Sequence, residues 1–210
     1  MVVGRRQLRI SARNAYIFLM IPAGYLLKRI VPWPEGRKAS NVLDVCSVSN
    51  CVNDDLVDIE GIWEHNSFGV ANNPELLWRL AREGNIDTAD AQLFFYEAYE
   101  LEIESENWLE SLPRWRPLTP VPSGKIEPSL ATIPPNKVLL GYDVVVFGDY
   151  LEHSPLSCNG VATTVPVNAH CLFDNLDQAK EAIEGGQFNG SEPGIYKIYS
   201  VHRVQRAMTP

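Results

Sequence analysis

At 210 residues, 45% apolar and 21% charged, the chain has the composition of an ordinary globular protein, long enough for one large domain or two small ones. A formal charge of -8 argues against the basic stripe with which nucleic-acid binders neutralise phosphates, and suits solubility or a basic partner. The four cysteines, Cys46, Cys51, Cys158 and Cys171, form no CxxC pair and no compact disulfide framework, and read as reduced thiols of a cytoplasmic protein.

In chain order, residues 1–19 read as a basic tail ahead of the folded part, with Met20 as an alternative start. The apolar stretch that follows the basic residues resembles a signal peptide only superficially. It carries Pro22 and Gly24, runs into Lys28 and Arg29, lacks a small-x-small cleavage site and is too short to span a bilayer. No membrane segment is expected.

A first unit is read over residues 20–112. Its apolar run from Tyr25 to Val31 predicts a strand, and SVSNCVN, residues 47–53, a turn carrying Cys51. Asp54, Asp55, Asp58 and Glu60 read as a polar loop or helix start, although hard cations also take such oxygen ligands. After His65 and Phe68, Asn73 is the expected cap of a helix with Pro74 at its first position and Gly84 at its end; Leu76, Leu77, Leu80 and Ala81 form its buried stripe. From Leu93 to Ile103, Tyr99, Leu101 and Ile103 alternate with Glu100, Glu102 and Glu104, which predicts a strand with one buried and one solvated face.

Residues 113–136 are crowded with proline, which prevents helix and central strand and favours an extended connector, with Trp108, Trp115 and Leu118 as anchors. The second unit, residues 137–210, has a strand from Tyr142 to Phe147 and a turn SPLSCNG with Cys158. His170 and Phe173 follow, then a helix capped by Asp174 with Leu176, Ala179 and Ile183 on one face, stopped by Gly185 and Gly186. A last strand runs from Ile195 to Val204.

The two units repeat one order: Gly-Tyr opening a strand, a cysteine turn, His-x-x-Phe, a capped helix, a strand. Cys51, His65 and Phe68 are matched to Cys158, His170 and Phe173 as structural repeat markers, and the whole reads as an α+β fold made by internal duplication. Cys158 with His170, or Cys51 with His65, could also supply a nucleophile and its base, with Asn159 or Asn168 to orient the imidazole, and a thiol-dependent hydrolase or transferase using Cys158 and His170 is the alternative reading. Two equivalent pairs fit a retained architectural element better than an active site, and no P-loop, GxGxxG, HExxH or GxSxG motif is present. The spacings Cys46-x4-Cys51 and Cys158-x12-Cys171 match zinc sites poorly, so no metal and no cofactor is expected.

The most distinctive charge feature is the acidic row Glu97, Glu100, Glu102, Glu104, Glu106 and Glu110. Like charges gathered on one strand face repel each other and favour a basic partner, so Glu97, Glu100, Glu102, Glu104 and Glu106 are the expected partner-binding residues. Trp33, Trp63, Trp108 and Trp115 are candidate exposed anchors, because Trp is enriched in binding hot spots.

The stretch GYDVVVFGDYLEHSPLSCNG followed by VNAHCLFDNLDQAKEAIE, about residues 138–204, resembles a group of small bacterial proteins. They share a Gly-Tyr-Asp-Val strand, an Asn/Cys/Gly turn and an Asn-x-His-x-Leu-Phe segment before a helix, and look like immunity partners of secreted antibacterial toxins. The resemblance implies a non-catalytic, cytoplasmic protein that neutralises a cognate toxin, and it transfers no binding residue.

Overall fold

The structure, a computed structural model, describes residues 20–36, 39, 41–48, 54–55, 66–104, 114–119, 131–147 and 151–205; at 54, 55, 147, 151 and 152 it describes the backbone alone. In chain order the elements are β1 (Met20–Arg29), β2 (Val31–Pro32), β3 (Asp44–Val45), β4 (Asp54–Asp55), α1 (Pro74–Glu83), β5 (Ala91–Glu104), β6 (Arg116–Pro117), β7 (Lys137–Phe147), β8 (Leu151–His153), α2 (Leu176–Glu184) and β9 (Ile195–Val204). The fold is α+β. Among the described residues no helix is long and apolar enough to cross a membrane.

Among the described residues seven strands form one antiparallel sheet in the order β4-β1-β5-β9-β7-β8, with β6 beside β5; β2 and β3 form a separate two-stranded ribbon. Both halves of the chain therefore share a sheet, joined where β5 meets β9, with Phe95 opposite His202 and Ala98 opposite Tyr199. These inner strands are rich in Tyr, Phe, Ile and Val, whose bulky side chains fill a pleated surface well. Tyr96, Tyr99, Tyr196 and Tyr199 are completely buried. Helix α1 packs on β1, and α2 packs on β7 and β9. Leu77 and Ala81 of α1 enter one apolar cluster, and Ala179, Ala182 and Ile183 of α2 enter the other.

The Gly-Tyr echo has a steric cause. Gly24 and Gly141 lie at φ +146° and +154°, and each lets the backbone of a downstream loop come down on the strand. Tyr25 then pairs with Ala71, and Tyr142 with Phe173, through reciprocal backbone hydrogen bonds of 2.8–3.0 Å. Each loop is held by one asparagine. Asn66 Oδ1 accepts from the N–H groups of Phe68 (2.8 Å) and Val70 (3.4 Å), while its Nδ2 donates to the Ala23 carbonyl (2.7 Å). Asn168 Oδ1 accepts from His170 (2.9 Å) and Leu172 (3.3 Å), while its Nδ2 donates to the Leu140 carbonyl (2.8 Å).

This geometry matches Asn66 to Asn168, so Phe68 stands in the place of His170 and Ala71 in that of Phe173. Phe68 and Phe173 are thus not equivalent, contrary to the His-x-x-Phe alignment. The reason is that the loop depends on an amide side chain and on a left-handed residue three places later, Gly69 (φ 71°) or Cys171 (φ 60°), and not on an aromatic ring. Cys51 and His65 lie outside the described residues.

Helix α1 begins as its sequence requires, with Asn73 Oδ1 accepting from the Leu76 N–H at 2.9 Å and Pro74 in the first turn. Helix α2 is capped by Asn175, not by Asp174: Asn175 Oδ1 accepts from the Gln178 N–H at 2.9 Å. The Gln178 side chain reaches back to the Asp174 N–H, which places Asp174 one step outside the helix.

The described parts of the proline-rich stretch are packed against the sheet. β6 pairs with Leu101 and Glu102, Leu118 lies on the first apolar cluster, and the Tyr25 hydroxyl donates to the Thr132 carbonyl. Trp115 packs edge-on against Tyr99 and donates its indole N–H to Glu184 at 2.7 Å. Trp33 is likewise packed against the second cluster, so neither tryptophan stands out as an exposed anchor. Trp63 and Trp108 lie outside the described residues.

Candidate functional site

A cluster of chemically capable side chains forms where the first half of the chain crosses onto the second. Residues 41–46 run along the loop at 167–170. The Asn41 amide donates to the Val167 carbonyl, Leu43 and Asp44 N–H donate to Ala169 (2.9 and 3.2 Å), and Cys46 N–H donates to His170 (3.1 Å). The loop is already fixed to β7 by Asn168, so this pairing sets the register of Asp44 and Cys46 against His170. His170 Nδ1 lies 2.8 Å from Asp44 Oδ1, and Cys46 Sγ lies 3.5 Å from that same oxygen.

The side chains differ in access. Cys46 is only 2% exposed, whereas the Asp44 and His170 side chains are 29% and 30% exposed. Burial, and then the Asp44 carboxylate, push the Cys46 thiol far above its ordinary pKa. A catalytic thiol requires the opposite environment, an electropositive one that favours the thiolate. Iodoacetamide at neutral pH is therefore expected to leave Cys46 unmodified in the folded chain and to alkylate it after denaturation, as read by peptide mass mapping. Rapid alkylation of the native protein at Cys46 would contradict this account.

Cys158 occupies a different environment. The turn around it and the segment at 47–48 touch each other: Ser157 Oγ donates to Ser47 Oγ (3.1 Å), and Val48 N–H and Ser154 Oγ donate to the two oxygens of Asp143 (2.8 and 2.7 Å). Lys28, also buried, donates to the carbonyls of Ser47 and Val48 at 2.9 and 2.7 Å. Burial pushes the Asp143 carboxyl up to about 7, against the lowering effect of its two hydrogen bonds and of Lys28. Cys158 is half-buried beside this group, its N–H bonded to Ser154 and its sulfur 3.9 Å from Ser157 Oγ. The structure thus assigns His170 to Asp44 and Cys46, and Cys158 to the surroundings of Asp143. Asn168 bonds the backbone of His170, not its ring. Cys46, Cys158 and Cys171 are all thiols.

The acidic row is divided between both faces of β5, and much of its charge is balanced. Glu97 accepts an ion pair from Lys137 at 2.7 Å, with His202 Nε2 3.5 Å away. Burial and the Lys137 ammonium hold the His202 imidazole below its ordinary pKa, opposed by Glu97. Glu102, on the opposite face, is fully buried between Lys197 (3.5 Å) and Arg116 (3.0 Å). Arg116 also bonds Glu104 at 2.5 Å. Glu100 is half-buried, Glu104 is exposed, and Glu106 lies outside the described residues. The expected solvated face is corrected for a topological reason: β5 is an inner strand between β1 and β9, and β6 lies along its acidic end.

Asp44, Cys46, Asp143 and Lys28 carried no local signal, since their partners lie far away in sequence. The aspartate and histidine that meet here are 126 residues apart. Asp54 and Asp55 pair with β1 through their backbone, and Asp58 and Glu60 lie outside the described residues. No protein-family model, curated protein or solved structure matches the chain.

Proposed function

We propose that the chain is a non-catalytic protein-binding protein, an immunity protein of the bacterial cytoplasm that neutralises a cognate toxin by covering it. The observation that supports this reading is the set of exposed apolar side chains on both faces of the start of β7, where Val138 and Leu139 are 40% and 46% exposed and Ile133, before them in the chain, is 49% exposed. Among the described residues this part of β7 pairs only with β9, since β8 reaches only Val146 and Phe147. An open strand edge flanked by apolar side chains is a template for an added strand, with backbone hydrogen bonds for affinity and side chains for specificity.

Charge plays the steering role. With 26 acidic against 18 basic residues, the chain attracts a basic partner over several ångströms before contact. Glu100 is the member of the acidic row that would take part, because Glu97, Glu102 and Glu104 are occupied by internal cations. The matching asparagine loops and Gly-Tyr strands support an origin by duplication of a strand-turn-helix-strand unit, with residues 113–136 as the connector.

The experiment uses the purified chain and the product of the neighbouring reading frame. Leu139→Asp, a surface change that leaves the fold intact, is expected to weaken their complex by about 30-fold or more, the scale of a hot-spot residue. Glu100→Lys should slow association at low salt with little change in dissociation. An unchanged affinity for Leu139→Asp overturns the strand-edge reading, and absence of any complex overturns the immunity reading.

A further inference from the structure

We propose that Asp44, Cys46 and His170 together bind one thiophilic divalent cation of the zinc class, with its fourth coordination position open to solvent. Three donors of three kinds, a thiol sulfur, an imidazole nitrogen and a carboxylate oxygen, converge from two segments of chain, and all lie within 4.8 Å of one another. That set is characteristic of zinc. Magnesium and calcium take oxygen ligands, whereas a sulfur and an imidazole select borderline and soft cations.

The two separations from the Asp44 oxygen lie near those of a tetrahedral centre. With zinc–sulfur bonds of about 2.3 Å and zinc–oxygen or zinc–nitrogen bonds of about 2.0 Å, tetrahedral angles put sulfur about 3.5 Å from oxygen and nitrogen about 3.3 Å from oxygen. The observed distances are 3.5 Å for Cys46 Sγ to Asp44 Oδ1, and 2.8 Å for His170 Nδ1 to the same oxygen. A shift of the imidazole by about half an ångström away from that oxygen brings the nitrogen–oxygen separation to the tetrahedral value. Neither ligand segment needs to be gathered first. The main-chain bonds from Leu43, Asp44 and Cys46 to Ala169 and His170 hold the two segments of the site together, and Asn168 fixes the His170 backbone. Supporting bonds of this kind orient metal ligands and set affinity.

Burial explains how the site would be filled. Cys46 forms its floor, while the partly exposed Asp44 and His170 form its rim, so the ion enters from solvent and keeps a water there. On binding, the thiol proton of Cys46 leaves to solvent and the sulfur becomes a thiolate ligand, while the neutral imidazole of His170 carries its one ring proton on Nε2 and offers the Nδ1 lone pair to the ion. The consequence is a clamp between chain segments that belong to the two halves of the molecule. This inference does not rest on the toxin-binding reading.

The test uses the full chain stripped with EDTA and titrated with Co2+. A thiolate-to-cobalt charge-transfer band should grow in the near ultraviolet, saturate at one equivalent and vanish when Zn2+ is added. Zn2+ should also raise Tm. Cys46→Ser should abolish the band while Cys158→Ser leaves it intact. Because Cys46 is in the core, Asp44→Asn on the exposed rim gives a second reading and should weaken Zn2+ binding by at least about 100-fold, beyond the effect of losing an outer-shell contact. No band at saturating Co2+, or a band retained by Cys46→Ser, overturns the proposal. Unchanged Zn2+ affinity in Asp44→Asn does so as well.

Discussion

Replacing Gly141 by alanine is expected to destabilise the fold by about 3 kcal/mol or more, a loss of roughly 6–12 °C in Tm for a chain of this size. The added Cβ would stand 2.6 Å from the Phe173 carbonyl oxygen and 2.8 Å from both Asn168 Nδ2 and Leu172 Cβ. The nearest of these atoms is backbone and cannot turn aside. It is also the atom that accepts from the Tyr142 N–H at 2.9 Å, so relief of the clash breaks the bridge between β7 and the loop. The φ of +154° adds strain for any residue with a side chain. Gly24→Ala should behave in the same way, because its Cβ would meet the Ala71 carbonyl oxygen. Thermal and urea melts measure both variants; a loss below about 0.5 kcal/mol at either site, the scale of an ordinary surface change, would refute the steric account.

The second large effect is expected at Glu102. Its carboxylate and the Lys197 ammonium are both completely buried, 3.5 Å apart, and Lys197 also donates to the Thr119 carbonyl at 2.9 Å. Glu102→Leu removes this counter-ion from a buried ammonium, and breaking a buried pair by removing one partner costs about 3–5 kcal/mol. Burial already holds the Lys197 pKa below its ordinary value, opposed by the charge and hydrogen bond of Glu102. Removing Glu102 lowers it further, so the folded state binds fewer protons than the unfolded one above the folded pKa. Stability of the variant should therefore recover as pH rises towards the ordinary lysine value. Adding Lys197→Met should restore most of the loss, since an apolar pair of similar volume often matches a buried ion pair. By contrast, Glu83→Ala, which removes an exposed pair of 3.9 Å with Arg79, should change stability by no more than about 0.5 kcal/mol. A loss below about 1 kcal/mol for Glu102→Leu would mean that water screens the pair.

Local signals proved reliable where the physics is local. Asn73 with Pro74 sets the start of α1, Gly84 and Gly185 mark the helix ends, and the aromatic and β-branched runs become β5 and β9. The choice between Asp174 and Asn175 as a cap was not legible, because either side chain can accept a helix N–H. The decision depends on where Tyr142 pairs with Phe173 and so fixes the entry of the chain. Alternation in β5 correctly indicated a strand but not its surroundings. A glutamate in an alternating pattern reads as solvated until a lysine and an arginine from elsewhere in the chain are laid over it.

The cysteine and histidine show the same limit more sharply. Cys158 and His170 are near in sequence, but the partners of His170 come from the ribbon strand β3 and from Cys46 just after it, and not from the turn. Sequence by itself determined the elements that short-range sterics and capping dictate: the helices α1 and α2 and the long strands, with Gly-Tyr at two of them. Only the tertiary structure decided which charges are buried and which thiol meets the imidazole. Those outcomes are set by contacts between segments as far as 126 residues apart, and no spacing along the chain encodes them.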